Sequence, residues 1–145
     1  MIGIVLALAL TQAQPACALS KRPPKGESMT SSWKGQYCKE SAPGTLVIHS
    51  AKEWQKLWKE TLSAEPPRSV DFSSHMAVAV FAGLKNTGGY RVEILEPQAK
   101  DGALEIPYKI IAPDPSGFVT MALTQPYAVA IFPKTTLTPR PVERP

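Results

Sequence analysis

The sequence is poor in the groups that catalysis and metal binding draw on. It has two histidines, His49 and His75, and two cysteines, Cys17 and Cys38. A hydrolytic triad needs a nucleophile, a base within ~3 Å and a third group orienting that base. His49 sits at a strand end before a helix cap, and His75 opens an apolar strand, so both read as boundary residues. G-x-S-x-G and H-E-x-x-H are absent, and "GLKNTGG" (83–89) lacks the G-K-[ST] ending of a phosphate-binding loop. Separated histidines and a lone Cys38 give no cluster with metal-ligand spacing. The sequence therefore reads as non-enzymatic, with no catalytic residue, metal or cofactor.

Long apolar runs are missing too. The run "IGIVLALAL" (2–10) is far short of the ~20 residues that span a bilayer, so no stable membrane span is expected. Small-residue cleavage patterns follow it, Thr11-Gln12-Ala13 and Ala16-Cys17-Ala18, although no basic residue precedes it. This is the layout of a secretory signal over residues 1–18, and it implies an exported protein. Cleavage after Ala18 leaves Cys38 alone, and cleavage after Ala13 allows a Cys17–Cys38 bridge. A lipid on Cys17 is a third course. In none of these cases do two cysteines make a disulfide framework.

Nor is there an excess of one charge on the folded part. The net charge is +4. Lys21, Arg22, Lys25 and Glu27 contribute two of those charges, and Lys134, Arg140, Glu143 and Arg144 the other two. Between Ser28 and Pro133 the acidic and basic residues cancel, so no nucleic-acid-binding face is implied.

What is present is ordinary globular material, 43% hydrophobic and 19% charged, enough for one domain. We place a linker at 19–32, a domain at 33–134 and a proline-rich tail at 135–145, both flanks too poor in large apolar groups to order themselves. Ser50 and Glu53 have the spacing of a capping box. Trp54, Leu57, Trp58 and Leu62 then form one helical stripe, with Lys52, Gln55, Lys56, Lys59 and Glu60 around it. Strands are expected at 46–49, 75–83, 90–96, 103–111, 118–123 and 127–132. The continuously apolar 75–83 suits an interior strand covered on both faces. Pro107 cannot donate to a ladder, which places 103–111 at an edge or a bulge. Trp33 and Tyr37 supply an extra strand or cover a sheet edge. The fold class is α+β: one amphipathic helix packed on a mainly antiparallel sheet of about five or six strands.

If the strands from Met76 onward form a simple meander, loops 83–89 and 112–117 share one end, and 98–102 and 124–126 the other. Two rigid loops on a stiff sheet make a binding edge. Gly88 and Gly89 are explained by a turn needing positive φ, and their bare backbone would also admit a partner chain. Lys85, Asn86, Thr87, Gly88, Gly89, Tyr90, Asp114 and Pro115 are the residues expected to touch a protein partner. A small ligand between Trp54 and Trp58 is the other use of the surface, although at helical spacing these residues suit a core.

"EWQKLW", "PPRSVDFSSHMAVAVFAGLKNTGGYRVEI" and "TQPYAVAIFPK" together resemble the PrcB C-terminal domain family over residues 46–134. Asp71-Phe72-Ser73, Gly83, Thr87-Gly88-Gly89-Tyr90 and Pro126-Tyr127 carry the likeness. The resemblance implies an exported bacterial protein, periplasmic, envelope-bound or secreted, with a non-catalytic role. That role is accessory or stabilising subunit of a secreted or envelope protease complex. "NTGGY" is also similar to the N-P-T-T-G-Y loop of chagasin-type cysteine-protease inhibitors, and "TQPY" to their R-P-W loop. This second resemblance implies an inhibitor acting through residues 86–90. The chain lacks Pro after Asn86, has Gln125 and Tyr127 in place of Arg and Trp, and on a meander holds Pro126 at the far end.

Overall fold

The computed structural model describes residues 29–145. The expected signal segment, Cys17 and the linker up to Ser28 lie outside the described residues. Eight strands are formed: β1 (Ser31–Gly35), β2 (Gly44–Ile48), β3 (His75–Phe81), β4 (Arg91–Ile94), β5 (Gln98–Lys100), β6 (Ala103–Ile111), β7 (Tyr127–Pro133) and β8 (Thr138–Glu143). They make two sheets rather than one. The first has the order β1-β7-β3-β2, all antiparallel. In the second, β6 is central, with β4 and β5 antiparallel along one side and β8 parallel on the other.

Helix α1 (Ala51–Lys56) starts where the capping box predicts, and the Ser50 hydroxyl accepts the Glu53 N–H at 3.2 Å. The return half of the box lands one residue earlier than the motif demands, because the Glu53 carboxylate accepts from the His49 N–H at 3.0 Å. A π-helical turn, Leu57–Thr61, continues the helix and closes with Leu62 N–H on the Leu57 carbonyl. The wider turn winds in an extra residue, so Leu62 returns to the stripe of Trp54 and Trp58. No helix among the described residues is long and apolar enough to cross a membrane.

Three layers follow: helix, first sheet, second sheet. Ile48, Trp54, Leu57, Trp58 and Leu62 pack on Ala77, Ala79, Phe81, Val129 and Ile131. The opposite faces of β3 and β7, through Met76, Val78, Val80, Ala128, Ala130 and Phe132, meet Val92, Ile94, Leu104 and Ile106 of the second sheet. Both central strands are therefore apolar at consecutive positions, because each has two buried faces. Small alanines alternate with large residues so that the layers interdigitate.

Several sequence expectations are corrected. Residues 118–123 form no strand; Phe118, Met121 and Leu123 are exposed there, and β7 pairs with β3 instead. The meander fails because β3 and β4 go to different sheets. Of the two places expected for Pro107, an edge or a bulge, the second is found: it lies in a central strand, beside a bulge. The pairing register slips by one residue between Ile94↔Tyr108 and Gln98↔Glu105, so three residues of one strand face two of the other. Leu95 N–H donates to the Pro107 carbonyl at 2.8 Å, and the amide that proline lacks falls where β4 ends. Trp33 lies within β1, so the extra strand expected near it exists.

The proline-rich tail is the largest departure. Residues 138–143 run parallel to β6 from Ala103↔Thr138 to Tyr108↔Glu143. They are held by a group with no apolar signature: the buried Glu105 carboxylate, which accepts from Arg140 Nη2 at 2.7 Å and Arg144 Nη2 at 2.9 Å. The fold therefore extends past position 134.

Candidate functional site

Pairing of Arg91 with Ile111 brings residues 83–90 and 112–117 to one end of the molecule. The carboxyl end of β1, the start of β2, the end of β3 and the start of β7 meet there as well. The two loops touch. Gly89 has φ +85°, and a Cβ added to it would lie 2.7 Å from Pro113 Cβ and 3.1 Å from Val119 Cγ1. Gly88 is buried, and its N–H donates to the Thr120 carbonyl at 2.8 Å. The glycine pair thus lets one loop lie flat against the other, with Gly88 covered and Gly89 at the surface.

The two glycines are not equivalent. Alanine at Gly89 is strained by the backbone, at a cost of about 1–2 kcal/mol, and also collides with Pro113. At Gly88 a Cβ would sit 3.4 Å from Thr120 Cβ, an ordinary contact. Gly89→Ala is therefore expected to lower the thermal midpoint by several degrees and Gly88→Ala to leave it nearly unchanged, both read by circular dichroism. Equal midpoints for the two variants would contradict this packing.

The other predicted contact residues divide. Asn86 and Gly89 are exposed, whereas Lys85, Thr87 and Tyr90 are half-buried. Lys85 is backbone-bridged to Thr124, and its ammonium lies 5.2 Å from the Tyr90 ring centre. The Tyr90 carbonyl accepts from Gln36 Nε2 at 2.9 Å. The Thr87 carbonyl accepts from the buried Thr124 hydroxyl at 2.8 Å. Asp114 and Pro115 are exposed, and Asp114 Oδ1 accepts the Ser116 N–H at 2.9 Å and hydroxyl at 2.8 Å. Those two donors hold the Asp114 carboxyl below its ordinary range. The carboxylate thus shapes its own turn, while its charge stays at the surface.

One expectation about this end is overturned. Residues 124–126 do not lie at the far end: Ala82 N–H donates to the Pro126 carbonyl at 2.9 Å, and Thr124 pairs with Lys85. "TQPY" and "NTGG" are neighbours, because β7 pairs with β3 in the first sheet and does not follow β6 in a meander.

Sequence reasoning missed the most prominent side chains here. Among the described residues, six large hydrophobics are exposed: Tyr37 63%, Leu46 45%, Leu84 47%, Phe118 107%, Met121 83% and Leu123 61%. Five of them lie on the segments that meet at this end, and Leu46 lies in the middle of β2. The signal was in "FVTMAL", whose apolar residues do not alternate cleanly, between Gly117 and Pro126.

The remaining candidates resolve as structure. Trp54 and Trp58 are buried, with ring centres 5.5 Å apart and edge to face, and each lies 5.9 Å from Trp33. They form a core cluster, and Trp54 also borders a hollow of ≈ 230 Å³ with Pro66, Arg68, Val70 and Phe72, whereas Trp58 borders none among the described residues. His75 Nδ1 lies 2.8 Å from the Ser74 hydroxyl at the surface, and no three His, Cys, Asp or Glu side chains gather into a metal site among the described residues. Cys38 is half-buried, its thiol directed to the Gln125 and Glu40 carbonyls, and burial pushes its pKa up. No curated protein and no solved structure matched the chain. A family model did, the one described as PrcB C-terminal, over residues 76–133; α1 and β8 lie outside that match. The segment from β3 through β7, with the loops that form this end, is thus the part of the chain that is similar to the PrcB C-terminal family.

Proposed function

We propose that the protein is an exported, non-catalytic module that docks another protein through its loop-bearing end, as an accessory subunit of a secreted or envelope protease. The carrying observation is that five of the six exposed large hydrophobics, Tyr37, Leu84, Phe118, Met121 and Leu123, lie on the segments that meet at that end. A scattered exposed leucine needs no explanation, whereas apolar side chains gathered on rigid loops mark an interaction surface. The family match supports the protease-complex setting, since the PrcB C-terminal family is an accessory and stabilising type of domain. Lys85, Asn86 and Asp114 lie on the same loops and add polar groups to that end, and a docking face joins apolar and polar groups in this way. Export is read from residues 1–18 alone.

The test replaces Phe118, Met121 and Leu123 together by serine. Because these side chains are exposed, the thermal midpoint should move little. Affinity capture from the native cell envelope, followed by an assay of protease lifetime in the captured fraction, should fall at least tenfold. Unchanged capture and lifetime would end the proposal.

The inhibitor reading gains one specific observation, the juxtaposition of residues 86–90 with 124–127. The same assay separates the two readings. An inhibitor lowers turnover of the captured protease at once, and an accessory subunit lengthens its active life.

A further inference from the structure

The four outer strand edges are not equally protected. On β8, Arg144 N–H donates to the Tyr108 carbonyl at 2.8 Å, so the even-numbered residues turn their amides to β6. Pro139 and Pro141 then fall on the outward positions, where no N–H is available to recruit another strand. The free edge of β2, "GTLVI", has neither proline nor charge. Ala82 N–H points to β7, and backbone direction alternates along an antiparallel strand, so Phe81, Ala79 and Ala77 turn to β2. Their partners Gly44, Leu46 and Ile48 are the bonded residues of β2. Thr45 and Val47 are left presenting N–H and C=O outward. The next outward amide, that of His49, is already capped by Glu53.

A hollow of ≈ 340 Å³ lies against this edge, lined by Leu46, Phe81, Pro43, Ala42, Thr61 and Glu40 among others. One Glu40 oxygen accepts the Ala42 N–H at 3.2 Å, and the second bonds to nothing else among the described residues. We propose that β2 is a strand-addition site, which accepts an extended segment of the partner protein carrying an apolar side chain for the hollow and a lysine or arginine for Glu40. Main-chain bonds to Thr45 and Val47 supply the grip, and the hollow selects the side chain. This rests on reading the same end as a docking face, since Gly83 packs on Pro43 and Leu84 N–H donates to the Ser41 carbonyl at 3.0 Å. A second copy fits less well. Strand β2 itself carries no basic residue to set against Glu40.

The probe is a random seven-residue peptide library displayed on phage, panned on the full chain. Enriched peptides should alternate apolar β-branched residues and carry a basic residue. Their binding should fall at least tenfold in Thr45→Pro and in Glu40→Lys, the second of which changes no amide of β2. Absence of enrichment, or equal binding by Glu40→Lys and by a folded Thr45→Pro, would overturn the site. A concentration-dependent dimer that Thr45→Pro dissociates would overturn it in favour of the second copy. The Phe118, Met121 and Leu123 triple variant should keep the peptides. If it keeps the envelope partner as well, the apolar loop reading fails and the edge survives; if peptides fail while the triple variant loses the partner, the reverse holds.

Discussion

Ending the chain at Lys134 is expected to yield a protein that no longer unfolds in one sharp transition and that associates through β6. Strand β8 covers β6 from Ala103 to Tyr108, and its removal bares a central strand with Leu104 and Ile106 in the core beneath it. An unpaired edge of that length invites pairing with another molecule. The same truncation strands Glu105, which is 6% exposed and loses both guanidinium partners at once. A buried carboxylate without a partner is costly. Urea unfolding followed by sedimentation should show a broadened transition and larger species. A monomer with the parent midpoint and slope would mean that the tail is ornamental.

The clamp should also be visible in the pH dependence. The Arg140 hydrogen bond, helped by the charges of Lys100, Arg140 and Arg144, holds the Glu105 carboxyl below its ordinary range. A depressed folded-state value means that the charged form is stabilised by folding. The contribution is complete above the unfolded carboxyl value, about 4.3, and is lost as the pH falls through the lower folded value. The urea midpoint of the parent should therefore drop more steeply below about pH 4.3 than that of Glu105→Gln.

The parts of the fold that follow from local rules were legible. Ser50 and Glu53 located the helix start, the stripe from Trp54 to Leu62 located its buried face, and the unbroken apolar run in β3 announced two covered faces. Which strand pairs with which is not a local property. Residues 118–123 have strand-like composition, but β7 takes the place beside β3, so the segment is left outside both sheets with its apolar side chains exposed. The tail was unreadable for another reason. Its anchor is an ion-pair cluster between Glu105 and two arginines more than thirty positions away in sequence, and composition counts such residues as solvated charge. Of the site, the contact between loops 83–90 and 112–117 was anticipated, because it needs only the β4–β6 pairing and not the full meander. Positive φ was expected of the Gly88-Gly89 pair and is found at Gly89 alone, whereas the burial of Gly88 against Thr120 depends on a loop that composition presented as a strand.

The tryptophan cluster should set the largest single-residue effect. Trp54 is 2% exposed, its ring meets Trp33, Trp58 and Phe72 at 5.9, 5.5 and 6.2 Å, and its indole N–H donates to the Arg68 carbonyl at 3.1 Å. Trp54→Ala removes all of these, and a buried tryptophan cut to alanine costs about 3–5 kcal/mol. Set against a typical total of about 5–15 kcal/mol, that is enough to leave much of the protein unfolded at working temperature. The thermal midpoint should fall by more than about 10 °C. Trp54→Phe separates the contributions: it keeps an aromatic ring in the cluster and loses the bond to Arg68, so its loss should be smaller. The pattern also decides whether the cluster is core or pocket. A pocket tryptophan is removable with stability intact, so an unchanged midpoint in Trp54→Ala would return these rings to the ligand-binding reading. A large fall fixes them as the brace that holds α1 on β3 and β7.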